Sequence, residues 1–259
     1  MILVFDVGNT ETTIGLFESA ALRMHWRINT DATRTPDELM LTLRGLLLAA
    51  GVEPGAVHGV AIGSVVPSMT DPLGEACHHL FGVAPRVVDA RSKLPITLDV
   101  LEPLTVGADR IINTLAASRL YASDTIVVDL GTATTYDCIT ADGVFLGGVI
   151  APGVRTSAET LFRRTSKLPA TELVPPERVI GRRTEECIRS GVVFGAADVV
   201  DGLVSRIKRE WPTPRTPLVI ATGGLAPMIA PLCETIDRVE PALTLVGLQM
   251  AYTLLGEAP

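Results

Sequence analysis

The sequence has few of the features that mark nucleic-acid-binding or membrane proteins. Its 22 basic residues are outnumbered by 29 acidic ones, so the formal net charge is −7 and no basic excess is available to bind a phosphate backbone. The most apolar helical stretch, residues 39–50, is interrupted by Arg44 and is shorter than the ~20 residues that cross a bilayer. We therefore expect no nucleic-acid partner and no membrane association.

Cysteine is scarce and scattered. The four cysteines stand at positions 77, 138, 187 and 233, with no CxxC pair and no histidine at zinc-ligand spacing. Neither a structural zinc site nor a disulfide framework is therefore indicated. The N-terminus also lacks the basic segment, long apolar stretch and cleavage site of a signal peptide, so we expect a cytoplasmic protein with unpaired thiols.

The rest of the composition is that of a folded protein with two related halves. The length of 259 residues and the 47% hydrophobic content suit two domains, which we expect at residues 1–118 and 119–259. Each half begins with an apolar strand that ends in aspartate, and the pattern of elements is then β-β-β-α-β-α. We predict helices at residues 36–50, 68–81, 108–121, 154–165, 184–211 and 241–255. Such a repeat implies two mixed sheets flanked by helices, with a cleft between them.

Two acidic turns occupy the same place in the two halves. They read Asp6-Val7-Gly8-Asn9-Thr10 and Asp129-Leu130-Gly131-Thr132-Ala133-Thr134. A carboxylate beside backbone N–H groups and hydroxyls can hold phosphate together with a divalent cation. One such turn could be an ordinary hairpin, but the pair favours nucleotide binding. The third candidate, Thr222-Gly223-Gly224, could approach a nucleotide closely or could be only a strand-to-helix turn.

Gly107-Ala108-Asp109-Arg110 precedes an apolar helix and allows two interpretations. Asp109 could stabilise the helix dipole, with Arg110 as its ion-pair partner. In a kinase, an aspartate there could instead accept the proton of an alcohol, while the arginine binds a carboxylate or the transferring phosphate.

Together with Gly147-Gly148-Val149-Ile150-Ala151-Pro152-Gly153, these elements resemble type III pantothenate kinase over essentially the whole chain. The resemblance implies an α/β fold of the actin-like ATPase (ribonuclease H-like) class, with duplicated lobes and mixed sheets flanked by helices. It also implies an ATP-dependent pantothenate kinase, which transfers the γ-phosphoryl group to pantothenate and gives 4'-phosphopantothenate in the first step of coenzyme A biosynthesis. Homodimers are implied too, and the long apolar run over residues 188–204 supports them.

The resemblance also assigns roles to single residues. ATP would contact the first turn and one residue of the second, namely Asp6, Val7, Gly8, Asn9, Thr10, Glu11, Thr12, Thr13 and Thr132. Asp6 would bind magnesium, directly or through water, and Asp129 would bind a monovalent cation, potassium or ammonium. Asp109 would be the proton acceptor. Pantothenate would contact Gly107, Ala108, Asp109 and Arg110, and also Thr184 from the dimer interface.

One segment departs from the family pattern. Where members often have Tyr-x-Asn-Pro, this chain has Val100-Leu101-Glu102-Pro103, although all three key carboxylates are retained. Two other functions stay open on the residues alone. One is another actin-like phosphotransferase, such as a sugar kinase or a phosphatase acting on phosphoanhydrides. The other is a non-catalytic regulator that kept the fold, which the retained carboxylates and the acidic charge disfavour.

Overall fold

A computed structural model describes residues 1–257 and divides the chain into two compact units. The first unit contains Met1–Arg119 together with the C-terminal segment from Leu243, and the second unit contains Leu120–Ala242. Each unit has one mixed β-sheet. No helix within the described residues is long and apolar enough to cross a membrane.

Strands and helices follow one another in the order that the sequence pattern suggests. The elements up to the end of the third helix are β1 (Ile2–Val7), β2 (Glu11–Glu18), β3 (Ala21–Asn29), α1 (Pro36–Ala49), β4 (Gly59–Ser64), α2 (Pro67–Phe81), β5 (Arg86–Val88), β6 (Thr97–Leu98) and α3 (Ala108–Tyr121). The later elements are β7 (Thr125–Leu130), β8 (Ala133–Ile139), β9 (Val144–Pro152), α4 (Val154–Arg164), α5 (Thr184–Arg209), β10 (Leu218–Thr222), α6 (Ala226–Ile229), β11 (Arg238–Val239) and α7 (Leu243–Glu257).

The first unit is organised around β1, whose two faces are both covered. Successive side chains of a strand point to opposite faces. Leu3 and Phe5 lie in a core cluster with residues of α1 and α2, whereas Ile2 and Val4 lie in a second cluster with residues of α3 and α7. Because both faces are buried, the strand is apolar at nearly every position, and Asp6 near its end is the exception.

Local sequence signals fix the ends of α1. Thr35 and Glu38 form a capping box, in which the Glu38 N–H donates to the Thr35 hydroxyl and the Thr35 N–H donates to the Glu38 carboxylate. Pro36 occupies the first helical turn, where its missing N–H has no cost. Leucines at positions 39, 43 and 47 form the buried face, so this helix begins and packs as its sequence predicts.

The second unit repeats the strand arrangement of the first. In the first unit the strands lie in the order β3-β2-β1-β4-β5, and in the second unit they lie in the order β9-β8-β7-β10-β11. In both, the acidic strand pairs antiparallel with the next strand and parallel with a later one. The core of the second unit forms where β7 and β10 pack against the 26-residue helix α5, through buried residues such as Val192, Val193, Val200 and Val204.

Some elements differ from the predicted ones. The sequence gives no pattern for β6, β11 and α6, because two to four residues are too few to show a period. Helix α5 ends at Arg209, two residues before the predicted end. The closing helix α7 groups with the first unit, whereas we expected it to complete the second half, because Leu245, Leu248 and Ala251 pack in the same cluster as β1.

Candidate functional site

Asp6 lies near the carboxyl end of β1, between two neighbouring strands. It pairs in register with Thr13 of the antiparallel strand β2 and with Gly63 of the parallel strand β4. Ligands of open α/β sheets bind outside the carboxyl ends of parallel strands. Asp6 therefore stands where the first sheet can present a carboxylate to a ligand.

The turn after β1 is held by backbone and hydroxyl hydrogen bonds. The N–H of Gly8 donates to the Glu11 carbonyl at 3.1 Å, and the Thr30 hydroxyl donates to the Gly8 carbonyl at 2.7 Å. The Thr12 and Thr30 hydroxyl oxygens are 2.9 Å apart. A Cβ at position 8 would lie 3.0 Å from the Glu11 carbonyl oxygen, so glycine fits this close approach best. Thr30 comes from the chain after β3 and was not predicted, since nothing in the sequence links it to this turn.

The Gly107–Arg110 element lies on the same edge of the first sheet. The N–H of Val65 donates to the Val7 carbonyl, and a Cβ built on Gly107 would be 3.4 Å from the Val65 side chain. A Cβ built on Gly63, the register partner of Asp6, would be 3.8 Å from the Ala108 Cβ. The structure therefore brings the start of α3 to the end of β4, beside the strand that carries Asp6.

The Asp109 carboxylate is fixed in the first turn of α3. Its Oδ1 accepts the Arg110 N–H at 2.9 Å, and a Cβ at position 107 would lie only 2.5 Å from that oxygen, so glycine leaves room for the carboxylate. Burial raises the pKa of Asp109, and the Arg110 N–H and the Arg110 charge oppose that rise. A carboxylate with a raised pKa is a stronger base, which suits a proton acceptor.

The segment before this element is exposed where the family pattern has an aromatic residue and an amide. Leu101 and Glu102 are both exposed, and a single 3₁₀ turn follows at Pro103–Thr105. The Thr105 hydroxyl donates to the Glu102 carbonyl at 2.8 Å, which fixes this turn locally. This hydrogen bond joins two residues of the same short segment.

Asp129 occupies in the second unit the place that Asp6 occupies in the first. It pairs in register with Thr135 of β8 and Thr222 of the parallel strand β10. The turn that follows is closed by the Gly131 N–H, which donates to the Ala133 carbonyl at 3.1 Å. The predicted equivalence of the two acidic strands is therefore present in their sheet pairing.

The start of α4 supports the second turn through a close backbone contact. A Cβ at position 153 would collide with the Thr132 carbonyl oxygen and would lie 2.6 Å from the Gly131 carbonyl oxygen. The Thr156 hydroxyl donates to the Thr132 carbonyl at 2.7 Å. Gly153 and Thr156 thus hold the backbone of Thr132, a contact that the sequence pattern did not reveal.

Gly223 packs directly against Asp129. Its φ of +90° is one that other residues rarely adopt, and a Cβ at this position would collide with Asp129 Oδ1. Two residues later, the Leu225 N–H donates to the Leu130 carbonyl at 3.2 Å. The glycine that the sequence marked as a third candidate therefore adjoins the second acidic turn.

A cavity of about 380 Å³ lies beside this turn in the second unit. Its walls come from α4, including Arg155 and Phe162, from the chain at residues 170–173, and from Leu225. Two of these three walls adjoin the Asp129 turn, because Thr156 of α4 bonds to Thr132 and Leu225 bonds to Leu130. The size is at the lower end of the range for small-molecule pockets.

Thr184 is not joined to these residues by any hydrogen bond within residues 1–257. It is exposed at the first position of α5, where the Glu186 carboxylate accepts the Arg182 N–H at 2.8 Å. Within the same residues, no group of three His, Cys, Asp or Glu side chains could hold a metal ion. Any cation at Asp6 or Asp129 would therefore need ligands beyond a cluster of protein carboxylates.

Comparison with solved structures shows the fold. The chain is similar to a conserved putative Baf family transcriptional activator from Campylobacter jejuni, with a TM-score of 0.61, 17% identity and coverage of 99% of this chain and 100% of that one. A putative N-acetylglucosamine kinase from Porphyromonas gingivalis gives a TM-score of 0.54 at 14% identity, covering 97% of this chain and 98% of that one. The predicted actin-like, two-sheet α/β class is confirmed.

Comparison with known sequences shows the family. The profile of type III pantothenate kinase matches residues 2–206. A type III pantothenate kinase of Anaeromyxobacter dehalogenans is 44% identical over 252 residues, which cover 97% of this chain and 98% of that protein. This chain belongs to the type III pantothenate kinase family.

Proposed function

We propose that this protein transfers the γ-phosphoryl group of ATP to pantothenate, the activity named for its family. The observation that carries the proposal is the position of Asp109. A half-buried carboxylate with a raised pKa stands at the sheet edge where β1 carries Asp6 near its end. A proton acceptor for an alcohol beside a phosphate-binding turn is the arrangement that phosphoryl transfer to a hydroxyl requires.

Asp109 would accept the proton of the primary hydroxyl as that oxygen attacks the γ-phosphorus. Arg110 follows it in the first turn of α3 and carries a guanidinium that can bind the pantothenate carboxylate or the transferring phosphate. Gly107 and Ala108 would contact the substrate through their backbone. Little covalent chemistry is left for the protein, so positioning and charge stabilisation would supply most of the rate.

The ATP contacts that the family resemblance implies are residues 6–13, whose backbone N–H groups and hydroxyls would hold phosphate, and Thr132. The cavity beside Leu225 would take the nucleoside, since Phe162 offers an aromatic face for a base. The walls formed by α4 and Leu225 adjoin the Asp129 turn, which supports this placement of the nucleotide.

The two carboxylates suit different cations. Magnesium keeps several waters and is commonly bound by one or two carboxylates plus substrate phosphates, so Asp6 alone could hold it once ATP is present. For Asp129 we propose potassium or ammonium. A larger ion could use the carboxylate, which Gly223 approaches closely, together with carbonyl oxygens of the turn, which Gly153 approaches closely. Bound there, it would offset the negative charge that ATP brings.

One assay tests the activity directly. ATP consumption by the full chain should depend on added pantothenate. Asp109→Asn should lower kcat by about 10²–10⁴-fold, while ATP binding and the melting temperature stay close to those of the parent. ATP consumption that ignores pantothenate but responds to a sugar would instead support another actin-like phosphotransferase.

The pH dependence of the rate gives a second test. Because burial raises the pKa of Asp109, kcat/KM should decline on the acid side at a higher pH than an ordinary aspartate would give.

We also propose a homodimer in which Thr184 contacts pantothenate bound by the partner. Thr184 is exposed, and exposed apolar side chains lie nearby in sequence, with Val179 and Ile180 at 69% and 85% exposure. Mixing Thr184→Arg chains with Asp109→Asn chains should restore activity, since half of the sites in mixed dimers would have both residues intact. Mixed dimers that are demonstrably formed yet inactive would contradict the shared site.

A non-catalytic regulator is less well supported. The Campylobacter jejuni protein described as a putative transcriptional activator is only 17% identical, so its likeness to this chain concerns the fold alone. All three carboxylates are present. Asp6 and Asp129 lie at equivalent strand ends, and Asp109 lies at a helix start. A non-catalytic regulator would not need them. A cytoplasmic location is part of the proposal, because ATP, the proposed phosphoryl donor, is available there.

A further inference from the structure

Helix α3, which carries Asp109 at its start, is enclosed on every side along its middle two turns. All seven residues at positions 111–117 are buried, including the polar Asn113 and Thr114. A surface helix would bury one stripe and expose the other. The orientation of α3 about its own axis is therefore set by its neighbours in the first unit.

Two glycines let those neighbours approach α3 closely. A Cβ built on Gly247 of α7 would lie 2.6 Å from the Ile112 carbonyl oxygen and 3.1 Å from the Ala116 Cβ. On β4, a Cβ built on Gly63 would collide with the Ile112 side chain. Helix α7 therefore packs against the backbone of α3, with no intervening side chain at Gly247.

One buried hydrogen bond joins the same two helices. The Thr244 hydroxyl of α7 donates to Asn113 Oδ1 at 3.0 Å, and the two residues are 7% and 1% exposed. Within the described residues, Asn113 Nδ2 is buried and has no hydrogen-bond partner. A half-satisfied amide in a core is costly, and an apolar side chain of the same shape would be more favourable for stability.

We propose that the Asn113–Thr244 pair positions Asp109, making both residues positioning residues of the phosphoryl transfer. Asn113 is four residues after Asp109, so both side chains lie on one face of α3, one turn apart. Anchoring Asn113 to α7 fixes how far that face is rotated, and with it the direction of the carboxylate. The close contact at Gly247 prevents α3 from sliding away from the hydrogen bond. This inference rests on the proposed role of Asp109 as the base.

Asn113→Leu combined with Thr244→Val gives the sharpest test, because positioning and stability predict opposite signs. The double variant removes both buried polar groups at nearly constant volume, so the melting temperature of the full chain should rise or stay unchanged, whereas Asn113→Leu alone would leave the Thr244 hydroxyl without its acceptor. Turnover should nevertheless fall by roughly 10- to 100-fold, as expected when a reacting group is displaced, with KM for ATP unchanged. Unchanged kcat in the folded double variant would overturn the proposal.

Thr244 supplies the second test, with its own conservative variant. Thr244→Val removes the hydroxyl at nearly constant shape and should lower kcat, whereas Thr244→Ser should retain most of it. Thr125→Val is the matched control. Thr125 is also fully buried and donates one hydroxyl hydrogen bond, to Ser123 at 3.0 Å, but it lies in the second unit. It should lose stability and keep kcat. Equal kcat losses in Thr244→Val and Thr125→Val would reduce the pair to a structural role.

A double-mutant cycle separates this inference from the function on which it rests. If Asn113 acts through Asp109, Asn113→Leu should reduce kcat of the parent but should not reduce further the residual kcat of Asp109→Asn. Independent, multiplying losses would overturn positioning and leave Asp109 as the base. Full turnover in Asp109→Asn alone would reject the base itself, whatever the Asn113 variants do.

Discussion

The two acidic turns share the same sheet environment but are held in different ways. Asp6 and Asp129 both lie between an antiparallel and a parallel neighbour, at the carboxyl end of the parallel pair. The first turn is fastened by the Thr30 hydroxyl. The second is fastened by backbone contact with Gly153 and Gly223, where a side chain would collide.

This difference follows from what comes after each hairpin in the chain. In the first unit β3 leads to Thr30, whose hydroxyl can reach the Gly8 carbonyl. In the second unit β9 leads directly into α4, so the helix start at Gly153 packs on the turn itself. A duplicated sheet therefore keeps its aspartates in place, while each turn has acquired its own support.

The largest expected difference is in the response to added side chains. Gly153→Ala should lower the free energy of unfolding by roughly 2–4 kcal/mol, since the Cβ meets carbonyl oxygens of Thr132 and Gly131 that cannot move aside easily. Gly8→Ala should cost less, because its Cβ would meet one carbonyl oxygen at 3.0 Å. Urea denaturation measures both. Gly191→Ala in α5, where nothing lies within 4 Å, is the control and should be neutral or stabilising. A larger loss at Gly8 than at Gly153 would reverse the comparison.

The next difference concerns the cations proposed for the two aspartates. Asp129→Asn should raise KM for ATP by about tenfold and flatten the response to potassium, because it removes the charge that would hold the monovalent ion. Asp6→Asn should instead alter the dependence on magnesium and retain the potassium response. Initial rates of the parent and of both variants, measured in potassium and in sodium at matched ionic strength, test these expectations. If the parent enzyme runs equally fast in both salts, Asp129 is not a potassium ligand.

A smaller effect is expected from the hydroxyl that fastens the first turn. Thr30→Val removes the donor to the Gly8 carbonyl and should cost about 1 kcal/mol of stability, with a few-fold rise in KM for ATP. Thr30→Ser should restore both values. Thermal unfolding and steady-state kinetics on the parent, Thr30→Val and Thr30→Ser proteins measure the two changes. A Thr30→Val enzyme with the parental KM for ATP would mean that the turn keeps its shape without this hydroxyl.

The smallest effect is expected from the matching hydroxyl of the second turn. Thr156 is exposed, and its carbonyl partner is already held in the close contact with Gly153. Thr156→Val should therefore change the free energy of unfolding by only a few tenths of a kcal/mol, since water can replace an exposed hydrogen bond. A loss as large as that of Thr30→Val would show that the two turns depend on hydroxyls equally.

Much of the fold follows from local patterns. Helix α3 was predicted at residues 108–121 and is observed at Ala108–Tyr121, because a continuous apolar stretch follows an acidic first turn. Helix α1 was predicted at residues 36–50, with Pro36 in its first turn, and is observed at Pro36–Ala49. The repeated strand that ends in aspartate predicted the duplication, which the matching strand order of the two sheets confirms.

The supporting contacts could not be predicted in the same way. Thr30 acts on Gly8 across 22 residues, and Thr156 acts on Thr132 across 24. No periodic pattern reports a partner at such a distance, since local propensity is averaged over a few turns. The packing of α7 on β1 is a further case, because its apolar residues would suit either sheet.

The sequence by itself determined the family, the two acidic strands and the helix that carries Asp109 in its first turn, because each depends on residue types within a short window. Tertiary structure alone decided what surrounds them. It placed Ala108 over the register partner of Asp6, enclosed α3 against α7, and left the Asn113 amide half satisfied. Those features arise from close packing between segments far apart in the chain. Because Gly63 and Gly247 have no side chain, the two backbones can come close together there.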